Sequence, residues 1–453
     1  MRTADMIISS RWVLPIAPQN ICLEDHAVVI ADGKILAILK TQQALQQFST
    51  KQHLHLDQHV LMPGLINAHT HTPMTLFRGL ADDLELENWL TKHIWPAENA
   101  LLDAKSVAAG SLLGIAEMIR GGTTCFNDNY FFPEITAEIA AKEGMRACLG
   151  IPIFSFPTGW CKTIEEYFTK AKNILQNTPR SPLISWAICP HSPYSVNDAE
   201  LIKCKQFAQE YHLPIHMHVH ETLKEIEQSL QQYNMRPLQR IQQLGLLSDK
   251  FISVHSTHLT DQEIKLLKDT GSHVVHCPES NLKLASGFAP IGKLLDANVN
   301  IAIGTDGAAS NNDLDLFGEL KTAALVAKVA DCDPTTLSAS EALKMATISG
   351  AKALGLENEI GSLEVGKYAD IIAIDMNHYF TQPIYNPMSH LIYALNRLQV
   401  SEVWVAGRHL LHAGKFVSLN TEKMVHEAQY WADKAKPFAF SYEATQANCE
   451  LKC

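Results

Sequence analysis

The residues in this chain that could do chemistry are imidazoles and carboxylates placed where short apolar runs end. Val60-Leu61-Met62 leads through Pro63-Gly64-Leu65-Ile66-Asn67-Ala68 into His69-Thr70-His71. On an extended strand, side chains at i and i+2 share a face, so His69 and His71 can grip one ion from the same side. Later runs end alike: Pro214-Ile215-His216-Met217-His218-Val219-His220-Glu221, Phe251-Ile252-Ser253-Val254-His255 and Asn300-Ile301-Ala302-Ile303-Gly304-Thr305-Asp306. Imidazole nitrogen together with carboxylate oxygen is the donor set of a hydrolytic metal site that keeps one position open for water. His69, His71, His255, Asp306 and a histidine of the Pro214 run are therefore the candidate donors. That run offers three, because His216, His218 and His220 alternate onto one face. His218 stands three residues before Glu221, a carboxylate able to reach over a metal towards substrate. His216 would sit deeper, and His220 could face solvent or bond locally.

Such residues need a scaffold that gathers strand ends. Eight apolar strand candidates can be read between residues 61 and 306, adding Thr123–Asp128, Ala147–Ile151, Ile184–His191 and His273–His276 to the four above. The intervening Ser106–Arg120, Asp198–Tyr211 and Asp261–Lys268 carry helix-period apolar spacing, with Asp198 and Asp261 at helix starts. Eight strand–helix units over about 250 residues match an α/β fold of the (β/α)8 TIM-like barrel type, whose functional groups collect at the C-terminal strand ends. A doubly wound open sheet would instead carry a Gly-rich phosphate loop after its first strand. The chain ends look different. Ala27–Ile30 and Ile35–Leu39 flank Asp32-Gly33, a tight-hairpin dipeptide, and Ala369–Ile374 and Val403–Arg408 again read as strands. Too small for a core alone, these pieces are expected to join as one small β-sandwich domain. The expected division is 1–60 and 365–453 for the small domain, with a terminal helix near 421–437 and a tail, and 61–364 for the barrel. Gly361 to Tyr368 has the glycine and lysine spacing of a phosphate loop. Tyr368 replaces its Ser/Thr, and a strand follows, so it reads as a turn.

Bulk composition excludes several classes. The chain has 453 residues, 46% hydrophobic and 19% charged, enough apolar content for a large folded core. A net charge of -11 with no long basic run argues against nucleic-acid binding. No uncharged apolar run approaches the ~20 residues of a spanning helix, so no membrane partner is expected. The first residues lack a basic-then-apolar signal pattern, and the ten cysteines form no CxxC pair. A cytoplasmic location with reduced thiols is the expectation.

Pro63–His71, the order His-x-His, His, His, Asp, and Gly361–Ile371 together resemble the amidohydrolase superfamily over nearly the whole chain. Phe77-Arg78-Gly79-Leu80, Trp89-Leu90, Ile94–Glu98, Pro190–Tyr194, Ser280–Leu284 and Gly304–Asn312 look like its 5-methylthioadenosine/S-adenosylhomocysteine deaminase subgroup. The resemblance implies His69, His71, His218 and Asp306 as metal ligands, with Glu221, His255 and Asp306 catalytic. It implies Glu98 on ribose hydroxyls, His191 and Ser310 on the nucleoside, and Glu221 on the ring. Dinuclear members carry a lysine after the fourth strand; Ala187–His191 has none, so one divalent metal is implied, Zn2+ ahead of Fe2+. The implied reaction replaces the 6-amino group of an adenine nucleoside by oxygen, with loss of ammonia. Free-base deamination (guanine), triazine dechlorination and a non-catalytic scaffold are the other readings. Some relatives place arginines in and after the third strand, where a carboxylate-bearing substrate would need them. Here Ile151–Trp160 has none, while Phe154, Phe156 and Trp160 suit an apolar 5'-methylthio group. The expected order is 5'-methylthioadenosine, then S-adenosylhomocysteine or adenosine. Relatives of this kind are often homodimers or homotetramers, so a homo-oligomer is expected.

Overall fold

A computed structural model describes residues 1–440; the tail from Ser441 to Cys453 lies outside the described residues. Eight parallel strands, each paired with the next in sequence, form the barrel. They are Leu65–Thr70, Thr123–Asn129, Arg146–Ile153, Ile184–Pro190, Ile215–Val219, Phe251–His255, His273–His276 and Ile301–Ile303. Alternation along these strands separates two sets. Ile66, Ala68, Cys148, Ala187, Ile252 and Ala302 form an interior cluster, while Leu65, Phe126, Leu149 and Met217 belong to the layer shared with helix residues such as Ile115. The ring closes where the Asp306 amide donates to the His69 carbonyl at 3.1 Å. Gly304 permits this approach, because a Cβ there would stand 2.8 Å from both backbone N and O of His69.

The expected helices form, and their first turns show why they start where they do. Asp103 and Ser106 make a reciprocal capping box for Ala104–Arg120. The Asn197 side chain accepts from the Glu200 amide to cap Asp198–Tyr211, and Thr260 with Glu263 caps Asp261–Thr270. The helix Thr421–Ala435 packs back on Ala104–Arg120 and Thr72–Phe77 of the barrel.

Both chain ends build one further eight-stranded sheet. Its centre is the antiparallel pair Gln52–Pro63 and Ile371–Asp375. Met6–Val13, Leu23–Ala31 and Lys34–Lys40 extend it on one side; Val400–Val405, Arg408–His412 and Lys415–Phe416 extend it on the other. The sheet is continuous in hydrogen bonds yet curls until its outer turns meet. Ala369 donates to the Gly33 carbonyl, Gly407 donates to Ala369, and a Cβ on Gly33 would lie 2.6 Å from the Ala406 carbonyl oxygen. Ile30, Ile35, Ile371 and Trp404 fill the space so enclosed, which gives the layered core expected of a sandwich. Asp32 (φ 51°) and Gly33 (φ 71°) both take the left-handed conformation that a two-residue hairpin turn requires. The turn from Gly361 to Tyr368 is local structure: Lys367 is buried on Ser362 Oγ (2.6 Å) and Glu364 (2.9 Å). A buried pair fixes barrel to sheet, Arg146 Nε and Nη2 donating to Asp370 at 2.8 and 3.1 Å.

Candidate active site

Four donor atoms from three strand ends converge at the C-terminal mouth of the barrel. His69 closes the first strand, His71 follows it, His218 comes from the fifth and Asp306 follows the eighth. Asp306 Oδ1 lies 3.3 Å from His69 Nε2 and 3.2 Å from His71 Nε2; His69 and His218 present Nε2 atoms 3.2 Å apart. One donor atom from each residue falls within 4.8 Å of all the others.

The opposite edge of each ring is held. His71 Nδ1 donates to the Asn129 carbonyl at 2.5 Å and His218 Nδ1 donates to the His191 carbonyl at 2.7 Å. A carbonyl accepts only, so the proton sits on Nδ1 and each Nε2 lone pair faces the cluster. His69 Nδ1 pairs with His216 Nε2 at 2.9 Å. Ser280 and Ser310 both donate to Asp306 Oδ2, at 2.6 and 2.9 Å, which leaves Oδ1 for the cluster. Burial pushes His69 down to about 4 and His218 well below the usual imidazole range, keeping their nitrogens free as ligands. Burial is the largest single influence on His71 and lowers it, but the hydrogen bonding and charge of Asp306, with the Asn129 carbonyl and Asp128, together outweigh it and move that ring upward. The buried Asp306 carboxylate thus draws positive charge into the cluster. A divalent ion answers that demand, and three imidazoles with one carboxylate suit such an ion.

The strand ends at and beside the cluster share a backbone feature. His255 (φ 69°), Asp306 (φ 61°) and His220 (φ 57°) all leave their strands in the left-handed region, a strained turn for these residues that redirects their side chains. His255 Nδ1 bonds Asn281 Oδ1 at 2.8 Å, and its Nε2 stands 3.9 Å from Glu221 Oε2. Glu221 is buried, its amide donating to Glu225 and its carbonyl accepting from Thr257. Burial raises its carboxyl, His255 opposes the shift, and Asp306 reinforces it.

These groups floor a cavity of about 370 Å³. Its walls are apolar, with Leu86, Trp89, Trp95, Phe131, Phe154 and Phe156, and no Lys or Arg lines it among the described residues. Glu98, His191 and Ser310 also reach it. Glu98 accepts from Tyr130 Oη at 2.6 Å, and burial pushes its carboxyl up to about 7. The His191 ring stacks on Phe154 at 4.7 Å, and burial followed by His71 and His69 lowers it to about 3. Trp160, expected on the substrate, does not line the cavity. It is buried one layer back, against Phe131, Tyr167 and the Lys170 ammonium, because the chain leaves the cavity wall after Gly159. His220 bonds Glu263 (3.2 Å) and the Leu238 amide (3.2 Å) behind the site. His212 ends a helix with φ 57°, His258 bonds the Ser286 carbonyl, and His276 is buried outside the cavity lining. Sequence reading missed Tyr130, which the strand-end rule could have found beside Asn129; it singled out Trp89-Leu90 and Ile94–Glu98 but not the helical form of the segment Leu86–Leu101 that carries them.

Residues 60–410 match the Amidohydrolase family. The chain belongs to that family. It is 46% identical over 431 residues to a 5-methylthioadenosine/S-adenosylhomocysteine deaminase of Saccharophagus degradans, covering 95% of this chain and 97% of that protein. A protein of the same description from Teredinibacter turnerae is 44% identical over 432 residues, covering 95% and 98%. Among solved structures, an adenosine deaminase from Xanthomonas campestris with bound zinc superposes with a TM-score of 0.95 at 47% identity, covering 96% of this chain and 99% of that one. An atrazine chlorohydrolase from Arthrobacter aurescens (TM-score 0.87, 24% identity) and the Escherichia coli guanine deaminase (0.78, 23%) share the fold.

Proposed function

We propose that this amidohydrolase is a divalent-metal-dependent deaminase of adenine nucleosides, with 5'-methylthioadenosine as its preferred substrate. The observation that carries the reading is a four-donor cluster, with Glu221 and His255 beside it, at the floor of an apolar cavity without a cationic side chain. The relatives at 44% and 46% identity, named for 5-methylthioadenosine and S-adenosylhomocysteine, support the substrate class. His69, His71, His218 and Asp306 would hold the ion, and zinc is proposed because the 47% identical structure contains it. When bound, such an ion supplies a water of lowered pKa and an electrophile for developing oxygen charge.

The side chains then have separable tasks. Water adds at C6 of the adenine ring, and the proton it gives up passes to Asp306. Glu221 delivers a proton to N1, so the ring does not carry the electron pair pushed into it. His255, fixed by Asn281, faces the oxygen added at C6. Asp306 returns its proton to the amino nitrogen, the C6–N bond breaks and ammonia leaves, while the C6 hydroxyl gives up its remaining proton, which restores the Glu221 carboxyl, and the product keeps a carbonyl oxygen at C6. Glu98 accepts ribose hydroxyls, His191 and Ser310 contact the nucleoside, and the wall of Phe131, Phe154 and Phe156 takes the 5' substituent. A carboxylate at that end would be desolvated without a partner, which places S-adenosylhomocysteine second. The test is ammonia release from 5'-methylthioadenosine, S-adenosylhomocysteine, adenosine and guanine by zinc-loaded protein. The highest kcat/KM is expected for 5'-methylthioadenosine; turnover of guanine alone would overturn the reading.

A further inference from the structure

A second group of metal-type donors stands in the curled sheet, and none of its members lines the cavity or joins the first cluster. Glu402, His409 and His412 place one donor atom each within 4.8 Å of the others. Residues three apart on a regular strand point to opposite faces, so His409 and His412 should diverge. They do not, because the pairing slips. Val403 faces Leu411 while the next residue, Trp404, faces His409, so Leu410 is an extra residue on its strand. This bulge turns both imidazoles to the face that carries Glu402, and His409 stacks on Trp404 at 4.6 Å.

The carboxylate is the unusual partner. Glu402 is only 3% exposed, and its described contacts are His409 Nε2 at 2.7 Å, His412 Nδ1 at 3.0 Å and the Ala413 amide at 3.0 Å. No Lys or Arg pairs with it among the described residues. Buried carboxylates are generally matched by a full positive charge or by a metal. Both imidazoles converge on the same oxygen, Oε2, as ligands around one centre do. Donor atoms of a tetrahedral zinc site with ~2.0 Å bonds lie ~3.3 Å apart, so an ion entering here would spread the two Glu402–imidazole contacts by a few tenths of an ångström from 2.7 and 3.0 Å. Nearby, His59 keeps a buried Nδ1 without a hydrogen-bond partner and interacts electrostatically with Glu402. His412 is half exposed and leaves the remaining coordination positions open to water.

We propose that Glu402, His409 and His412 form a second site for a borderline transition-metal ion, zinc being the one tested, which ties Val400–Val405 to Arg408–His412. Its ligand class, two imidazoles and one carboxylate, excludes magnesium and calcium as preferred occupants. The site is structural, so its loss leaves the deamination chemistry in place.

Tag-free full-length protein would be dialysed against buffered zinc and its metal content measured per chain. Two zinc ions are expected for the wild type and one for H409Q/H412Q, with the deamination rate of the variant unchanged. Glutamine amides keep a hydrogen bond to Glu402, which guards the fold. The single variant H412Q, altered at the more exposed ligand, should weaken the second site at least tenfold. An H69A/H71A protein should retain one zinc ion. One zinc ion in the wild type, two in the double variant, or none in H69A/H71A would each overturn the proposal.

Discussion

Replacing Glu221 by glutamine isolates proton transfer from every other task of the site. The side chain keeps its length, and the backbone contacts that hold the residue, its amide on Glu225 at 2.9 Å and its carbonyl under Thr257 at 2.7 Å, do not involve the carboxyl. The four donors of the metal cluster are other residues, so zinc content should hold. What is lost is a proton that can leave. Burial raises the Glu221 carboxyl, which favours its proton-carrying form, whereas an amide can hydrogen-bond to N1 but cannot release its proton. General acid catalysis contributes ~10²- to 10⁴-fold, or about 3–5 kcal/mol of barrier at ~1.36 kcal/mol per decade. Glu221→Gln should therefore lower kcat on 5'-methylthioadenosine by that factor while KM moves only a few-fold. The assay is ammonia release under saturating substrate, with metal content measured on the same sample. A kcat within tenfold of wild type at unchanged zinc would refute the acid role; a parallel fall in zinc and kcat would show that Glu221 serves the metal cluster instead.

Chelation should abolish turnover and zinc should restore it, and H69A should lose the zinc ion of the first cluster; activity that survives complete metal removal would refute the role proposed for that cluster. Glu98→Gln should cost about 10- to 150-fold in kcat/KM on nucleosides, the equivalent of ~1.5–3 kcal/mol for a charge-assisted hydrogen bond, and far less on free adenine. Equal losses on both substrates would remove Glu98 from the ribose. Phe156→Arg puts a guanidinium on the half-exposed cavity wall and should raise the S-adenosylhomocysteine to 5'-methylthioadenosine kcat/KM ratio about tenfold. An unchanged ratio would place the 5' end against another wall. Burial would raise Glu263, but hydrogen bonds from His220 and Arg236 outweigh it and hold the carboxyl below the usual range. A depressed native pKa gives stability that is present above the unfolded-chain value of ~4.3 and is lost as pH falls below it. The acid limb of thermal stability should accordingly be shallower in Glu263→Gln than in wild type.

The barrel was legible because its strands are short apolar runs whose last residues are chemically distinctive, and helix starts such as Asp198 and Asp261 punctuate them. The halves of the small domain were legible as strands, but their joining as one curled sheet depends on contacts between Gly33, Ala369 and Ala406, residues that say nothing separately about one another. Within the site, the donors were readable as residue types. The groups that set their tautomers were not, because the acceptors on His71 and His218 are the backbone carbonyls of Asn129 and His191, and any residue supplies a carbonyl. Trp160 was misplaced for a related reason. An aromatic near a strand end has equal hydrophobic reason to line a cavity or to pack behind the residues that line it, and only the path of the chain after Gly159 decides.

The histidines of the fifth strand show where periodicity stops carrying information. Alternation puts His216, His218 and His220 on one face only while the strand continues, and it ends at Val219. His220 then turns to φ 57° and its ring goes to Glu263 and the Leu238 amide, out of the cluster. The two that remain in register are separated by depth. His218 reaches the mouth, where its Nε2 meets that of His69, while His216 lies one step below and supports His69 through Nδ1. Three identical residues at equal spacing thus take three different places: one stands among the four converging donor atoms, one pairs with a member of that cluster, and one bonds the loop behind them. Depth in the barrel and the point where the strand breaks make that assignment, and both are set by the neighbouring strands rather than by the spacing itself.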